Sequence, residues 1–185
     1  MTESYLRERT RDSYSKILGD KDAKFSEVFH YEIDKLEPIV AKPFSPANTS
    51  AVRELEQVEV DRVYIGSCRG AKLEDLQAAA KILKGKKVKV RTEVLPAAQS
   101  IYLKAVSQGL ADVFLKAGAV VGPPTCGACW GAHMGVLAED EICVSTTNRN
   151  FPGRMWHVKS KTYLASPLVA AASALRGKIT DPRDI

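Results

Sequence analysis

Three thiols and a pair of guanidinium groups carry the chemistry this sequence can do. Cys126 and Cys129 stand in the run Gly122-Pro123-Pro124-Thr125-Cys126-Gly127-Ala128-Cys129-Trp130-Gly131-Ala132-His133. A Cys-x-x-Cys spacing puts two thiolates within reach of one metal centre, and the flanking glycines let the backbone come close to a bulky group. Cys68 follows an apolar run in Gly66-Ser67-Cys68-Arg69-Gly70. Three chemistries compete on spacing alone. A thioredoxin-like redox pair would use Cys126 and Cys129 and leave Cys68 without a part. A zinc site could close on Cys68, Cys126, Cys129 and His133. An iron–sulfur cluster, which wants thiolates, would take Cys68 as the third ligand. The plain alternative, inert buried thiols, suits Cys143, which lies inside an apolar strand.

The second chemical signal is Thr146-Thr147-Asn148-Arg149-Asn150-Phe151-Pro152-Gly153-Arg154. Two arginines flank a Pro-Gly turn just after a strand. Arginine offers planar, paired donors that match carboxylates, so two of them suit a di- or tricarboxylate. A solvated surface turn is the competing reading, and the neighbouring cysteines weigh against it.

These residues need elements to position them. Val58 to Ile65 reads as a strand ending at the Cys68 turn, and Leu76, Ala79, Ala80 and Leu83 then recur at helical spacing. Val88 to Leu95 is a second strand, closed by Pro96. Ser100 to Lys116 is helical, punctuated by Gly118 before Ala119-Val120-Val121. Ile142 to Ser145 is another strand, and Ser166 to Leu175 an alanine-rich helix. Strands alternating with helices imply a mainly parallel sheet in an α/β fold of three layers, α/β/α. In such sheets ligands gather at the carboxyl ends of strands. Cys68 and Asn148-Arg149 both fall there. Upstream, residues 1–20 read as a charged helix and Phe25 to Ile33 as a strand. The three prolines between Glu37 and Asn48 suggest an extended arm, giving a division into 1–49, helix and arm, and 50–185, the α/β domain.

Composition sets the outer limits. With 185 residues, 45% apolar and 26% charged, the chain can build one sizeable core. Its charged N-terminus and lack of a long apolar run predict a cytoplasmic protein with no membrane span. In that setting four cysteines favour metal binding or catalysis over a disulfide framework. The net charge of +5 suits anionic partners. Its densest part, Lys81 to Arg91, has no interleaved aromatics, which speaks against nucleic acid and for a solvated face.

Read in order, Gly66-Ser67-Cys68, Glu74-Asp75-Leu76, Cys126-x-x-Cys129 and Ser145-Thr146-Thr147-Asn148-Arg149-Asn150-Phe151-x-Gly153-Arg154 resemble the aconitase superfamily. Tyr163-Leu164-Ala165-Ser166-Pro167 and Gly177-Lys178-Ile179-Thr180-Asp181-Pro182 resemble the end of the large subunit in its isopropylmalate isomerase (3-isopropylmalate dehydratase) branch. The resemblance covers about residues 50–185, and more loosely Leu36 to Asn48. It implies the fold of the third domain of aconitase. It implies that Cys68, Cys126 and Cys129 hold three irons of a [4Fe–4S] cluster, the fourth iron meeting substrate. Arg149 and Arg154 would hold substrate carboxylates, with Asn148 beside them. The reaction implied is hydro-lyase chemistry on a 2-hydroxy acid, 3-isopropylmalate first, with homoaconitate, dimethylmalate or phosphomevalonate-type substrates as alternatives. A non-catalytic zinc-binding or structural domain is the reading from another class.

The resemblance also implies partners: a preceding half of the large subunit, and a small swivel subunit carrying the general base, so the chain alone should be inactive. Two departures stand out. Arg69-Gly70 replaces the family's Thr-Asn after the first cysteine, and Ala97-Ala98 follows Pro96 where Gly-Ser is usual.

Overall fold

Burial on both faces is what the apolar run ahead of Cys68 demands, and the computed structural model, which describes residues 2–185, gives it that place. By contacts the chain divides into two units, Met1–Leu36 and Glu37–Ile185. The first holds one short helix, α1 (Thr2–Arg7), and a single 3-10 turn at Ile33–Lys35. The expected helix over 1–20 stops after its second turn, and Phe25 to Ile33 forms no strand. Phe25, Phe29, Tyr31 and Ile33 are exposed, so no sheet pairs with them and no core rewards the extended conformation.

The second unit is a seven-stranded sheet. Its strands are β1 (Ile39–Ala41), β2 (Thr49–Ala51), β3 (Arg62–Gly66), β4 (Arg91–Leu95), β5 (Val120–Val121), β6 (Ile142–Ser145) and β7 (Lys161–Leu164), in the order β2-β1-β7-β6-β3-β4-β5. β3 pairs in parallel with β4 and β6, β4 with β5, and β6 with β7. β1 runs antiparallel to β2 and β7. The segment expected as a free arm is therefore an edge hairpin of this sheet. Its prolines sit before β1 (Pro38) and in the connecting turn (Pro43, Pro46), where no ladder hydrogen bond is lost.

Alternation along the strands sends two residue sets to opposite faces. β3 runs directly into the single turn α2 (Ser67–Gly70), and Val63, Ile65, Val94 and Val144 face the larger core, under α3 (Leu73–Leu83), α4 (Gln99–Ser107), α5 (Leu110–Ala117) and α6 (Pro167–Arg176). Ser166 caps α6, its hydroxyl accepting from the Val169 amide, and Pro167 opens the helix. All seven residues from Val169 to Leu175 are buried. Each large aliphatic side chain in this core, such as Leu76 or Leu83, contributes about 1.5–3 kcal/mol by leaving water. The helix expected over 100–116 is broken by Gly109, which takes a left-handed φ of 73° between α4 and α5.

Tyr64, Leu95 and Cys143 point the other way. They meet Ala128, Cys129, Leu137 and Met155, contributed by loops and one 3-10 turn, Gly127–Trp130. The α/β architecture with a mostly parallel sheet is as the alternation implies, and its third layer is built chiefly of loops. Among the described residues no helix is long and apolar enough to cross a membrane.

Near the chain's end a charge cluster fastens the β1–β2 hairpin at the edge of the sheet. The buried Asp181 carboxylate accepts from Arg183 at 2.6 and 2.9 Å and lies 3.4 Å from Arg53. Arg183 also reaches Glu37, just ahead of β1. The Arg183 hydrogen bonds hold both carboxyls below their ordinary range. A carboxyl depressed on folding stabilises above its unfolded pKa and loses that contribution as pH falls through the folded one. Between about pH 5 and pH 1 the melting temperature should therefore fall. The fall should be steeper in the native chain than in Arg183→Met, as scanning calorimetry would read; parallel pH profiles would remove the cluster from any role in acid lability.

Candidate functional site

The turn that carries Cys68 leaves the carboxyl end of β3, at the centre of the sheet. Ser67 has a left-handed φ of 71°, which is uncommon and costly for a residue with a Cβ. That turn is stitched to the end of β6 by Thr146. The Gly66 amide donates to Thr146 Oγ1 at 2.9 Å, and the same hydroxyl donates to the Gly70 carbonyl at 2.8 Å. A Cβ on Gly70 would lie 1.9 Å from the Thr146 carbonyl oxygen, so only glycine lets these backbones meet. The Gly70 that departs from the family pattern thus has a local reason.

Cys126 and Cys129 sit on and beside the 3-10 turn over β3 and β4. The Cys129 amide donates to the Cys126 carbonyl at 2.9 Å, and the Tyr64 hydroxyl donates to that same carbonyl at 2.8 Å. Burial pushes the Tyr64 phenol far above its ordinary pKa, with the nearby Cys129 and Cys126 sulfurs adding to the effect. The hydroxyl therefore stays protonated and remains a donor to the loop. Nothing in an apolar strand marks such a tyrosine in advance except its place two residues before the turn.

The arginine loop closes the group. Arg154 is half-buried and donates from Nη2 towards Cys129 Sγ at 3.6 Å. Its Nε is buried and meets no hydrogen-bond partner among the described residues; the same holds for Ser67 Oγ. Asn150 anchors the loop by donating to the Lys42 and Thr162 carbonyls, at 2.8 and 3.1 Å. Asn148 and Arg149 are exposed at the same edge of the sheet.

Cys68 and Cys126 are exposed and Cys129 is buried; all are free thiols. Among the described residues no three His, Cys, Asp or Glu side chains are drawn together into a metal-holding group. The structure joins Cys126, Cys129 and Arg154, and it sets Cys68 on the adjacent strand-end turn without bringing its sulfur to the other two. His133 turns to Thr125, with Nε2 3.3 Å from its hydroxyl. Cys143 is fully buried, and burial pushes its thiol well above the ordinary range, which fits an inert core residue. The donor chemistry, three free thiols on loops at one sheet edge with an unpaired guanidinium N–H behind them, suits a thiolate-bound cluster.

A mostly parallel α/β sheet with thiols and arginines at its carboxyl edge defines a cysteine-bearing protein of the open-sheet α/β class. The family follows from comparison. Residues 2–177 match the model of the aconitase family (aconitate hydratase), and the chain belongs to that family. It is 50% identical over 186 residues to the 3-isopropylmalate dehydratase large subunit of Heliobacterium modesticaldum, covering all of this chain and 44% of that protein. The large subunit of Clostridium kluyveri is 49% identical over 186 residues, again with 44% of its length covered. Large subunit 1 of Pyrococcus furiosus is 49% identical over 188 residues, 44% of it covered. The chain therefore spans less than half the length of these relatives, and it corresponds to their C-terminal part.

Proposed function

We propose that the chain is the cluster-bearing part of a hydro-lyase that removes and re-adds water on a 2-hydroxy di- or tricarboxylate, 3-isopropylmalate being the first candidate. The observation that carries this reading is Arg154, poised 3.6 Å from Cys129 Sγ with a buried, unpaired Nε. A desolvated N–H without a partner is costly, and an anionic ligand offsets that cost. The names of the half-identical relatives supply the reaction class and substrate.

In this reading Cys68, Cys126 and Cys129 hold a [4Fe–4S] cluster, and Cys143 has no part. When bound, the cluster supplies a Lewis-acidic iron with an open coordination position. Arg149 and Arg154 pair with substrate carboxylates, and Asn148 offers an amide beside them. Tyr64 and Thr146 keep the two cysteine loops at the end of β3. The general base and the opposite wall of the cleft come from the rest of the large subunit and a small swivel subunit.

Anaerobic reconstitution of the chain with iron and sulfide tests the ligand set. The native chain and Cys143→Ala are expected to turn brown with broad visible absorption, and Cys68→Ala, Cys126→Ala and Cys129→Ala each to lose most of it. A colourless chain that binds zinc and releases it on His133→Ala would overturn the cluster in favour of a zinc site.

A further inference from the structure

The chain has two tryptophans, and both lie on the loop-built third layer, out in solvent. Trp130 is 60% exposed and Trp156 64%, with Val158 at 63% and Phe151 at 47% beside them. The backbones that carry the tryptophans touch: a Cβ on Gly131 would stand 2.7 Å from the Trp156 amide nitrogen. Phe151 lies under the Arg154 guanidinium, 5.6 Å from its ring centroid. Beneath this surface lies a small buried apolar group of the layer, Cys129 and Met155 among its members. Large aromatics and arginine grouped around a small buried cluster are the composition of an interface centre, and leaving them in water wastes their apolar area.

Charge narrows the occupant. The two segments that build the surface, residues 126–135 and 148–158, contain Arg149, Arg154, His133 and His157 and no aspartate or glutamate. A second copy docked through the same face would set arginine against arginine. The relatives carry more than half their length outside the matched part. We infer that the Trp130–Trp156 face is the seat of that remaining part of the large subunit, which presents apolar side chains to the two tryptophans. This rests on the reading of the chain as one part of a larger hydro-lyase.

Hydroxyl-radical footprinting read by mass spectrometry follows each tryptophan separately. It is applied to the chain alone, to the chain co-expressed with the part of the Heliobacterium modesticaldum large subunit outside the match, and to one polypeptide in which this chain replaces the matched part. The joined form keeps the test decisive where the separate part does not fold. Trp130 and Trp156 should become several-fold less reactive in the combined forms, with Leu103 and Leu115 on the helical face unchanged. Trp130→Ala and Trp156→Ala should each weaken association of the separate parts about tenfold or more without shifting the chain's own melting temperature. Equal tryptophan reactivity alone and in both combined forms would overturn the inference. So would protection that develops with the chain alone as its concentration rises, or only on adding anionic lipid vesicles. All of this is done without iron, so a failed cluster test and a failed docking test are told apart.

Discussion

Glu93→Leu is expected to lower the free energy of unfolding by about 3–5 kcal/mol, because it strands a buried guanidinium. Arg62 and Glu93 face each other across β3 and β4 with side chains only 2% and 4% exposed. Arg62 Nε donates to Glu93 at 2.9 Å, and Nη1 donates to the Val136 carbonyl at 3.1 Å and to that of Gly135. Burial works against the Arg62 charge, yet the Glu93 hydrogen bonds and the Glu93 charge, with smaller help from neighbouring groups, together raise the guanidinium pKa. Arg91 also binds Glu93, at 2.8 Å, but is 64% exposed and can return to water. Arg62→Met with Glu93→Leu should recover part of the loss, since an apolar pair replaces an ion pair at modest cost. The recovery stays incomplete because the Gly135 and Val136 carbonyls lose their donor. Urea titration followed by circular dichroism measures both. A Glu93→Leu chain within about 1 kcal/mol of native would mean that water reaches the pair.

Gly70→Ala should cost about 2–3 kcal/mol, the upper range for overpacking, since the added methyl meets backbone rather than a side chain that can swing away. The Thr146 carbonyl would stand 1.9 Å from the new Cβ and its hydroxyl 2.4 Å. Relief requires the Cys68 turn to part from β6, breaking the Thr146 bonds to Gly66 and Gly70. Iron uptake should therefore fall more than overall stability does. Thr146→Val keeps the volume but removes the hydroxyl, and should weaken iron binding about 10–100-fold, the usual scale for residues that orient ligands. If Gly70→Ala melts and binds iron as the native chain does, the close approach at this turn carries no weight.

The strands and helices that position the site were legible where sequence pattern and hydrogen bonding coincide. Ile142 to Ser145 is a strand to the residue, and the alanine-rich helix begins at its serine cap. The strand expected from Val58 starts only at Arg62, and that expected from Val88 only at Arg91. Val58, Val60, Val88 and Val90 do pack on the core. Their backbone bonds go elsewhere: the Val60 amide donates to Gly177, Val88 to Ala117 and Lys89 to Ala174. Periodicity reports burial, and burial alone does not make a ladder. The β1–β2 hairpin stayed hidden because its prolines signal irregular chain, although all of them fall outside the strands. Residue types and spacing singled out the cysteines and arginines, of which the fold brings Cys129 and Arg154 together and leaves Cys68 on a separate turn. Thr146 stood in the arginine motif and Tyr64 just before the cysteine turn, but nothing local showed that they fix the loops, since those bonds join strands that meet only in the folded sheet.

The unequal covering of the two sheet faces has a kinetic consequence. Helices guard one side with unbroken amide ladders, whereas loops guard the other through single tethers such as the Tyr64 hydroxyl and the Arg62 fork. Hydrogen exchange should release the loop side first, at a free energy below that of global unfolding. The helical side of the sheet then stays closed while the loop side exchanges its amides.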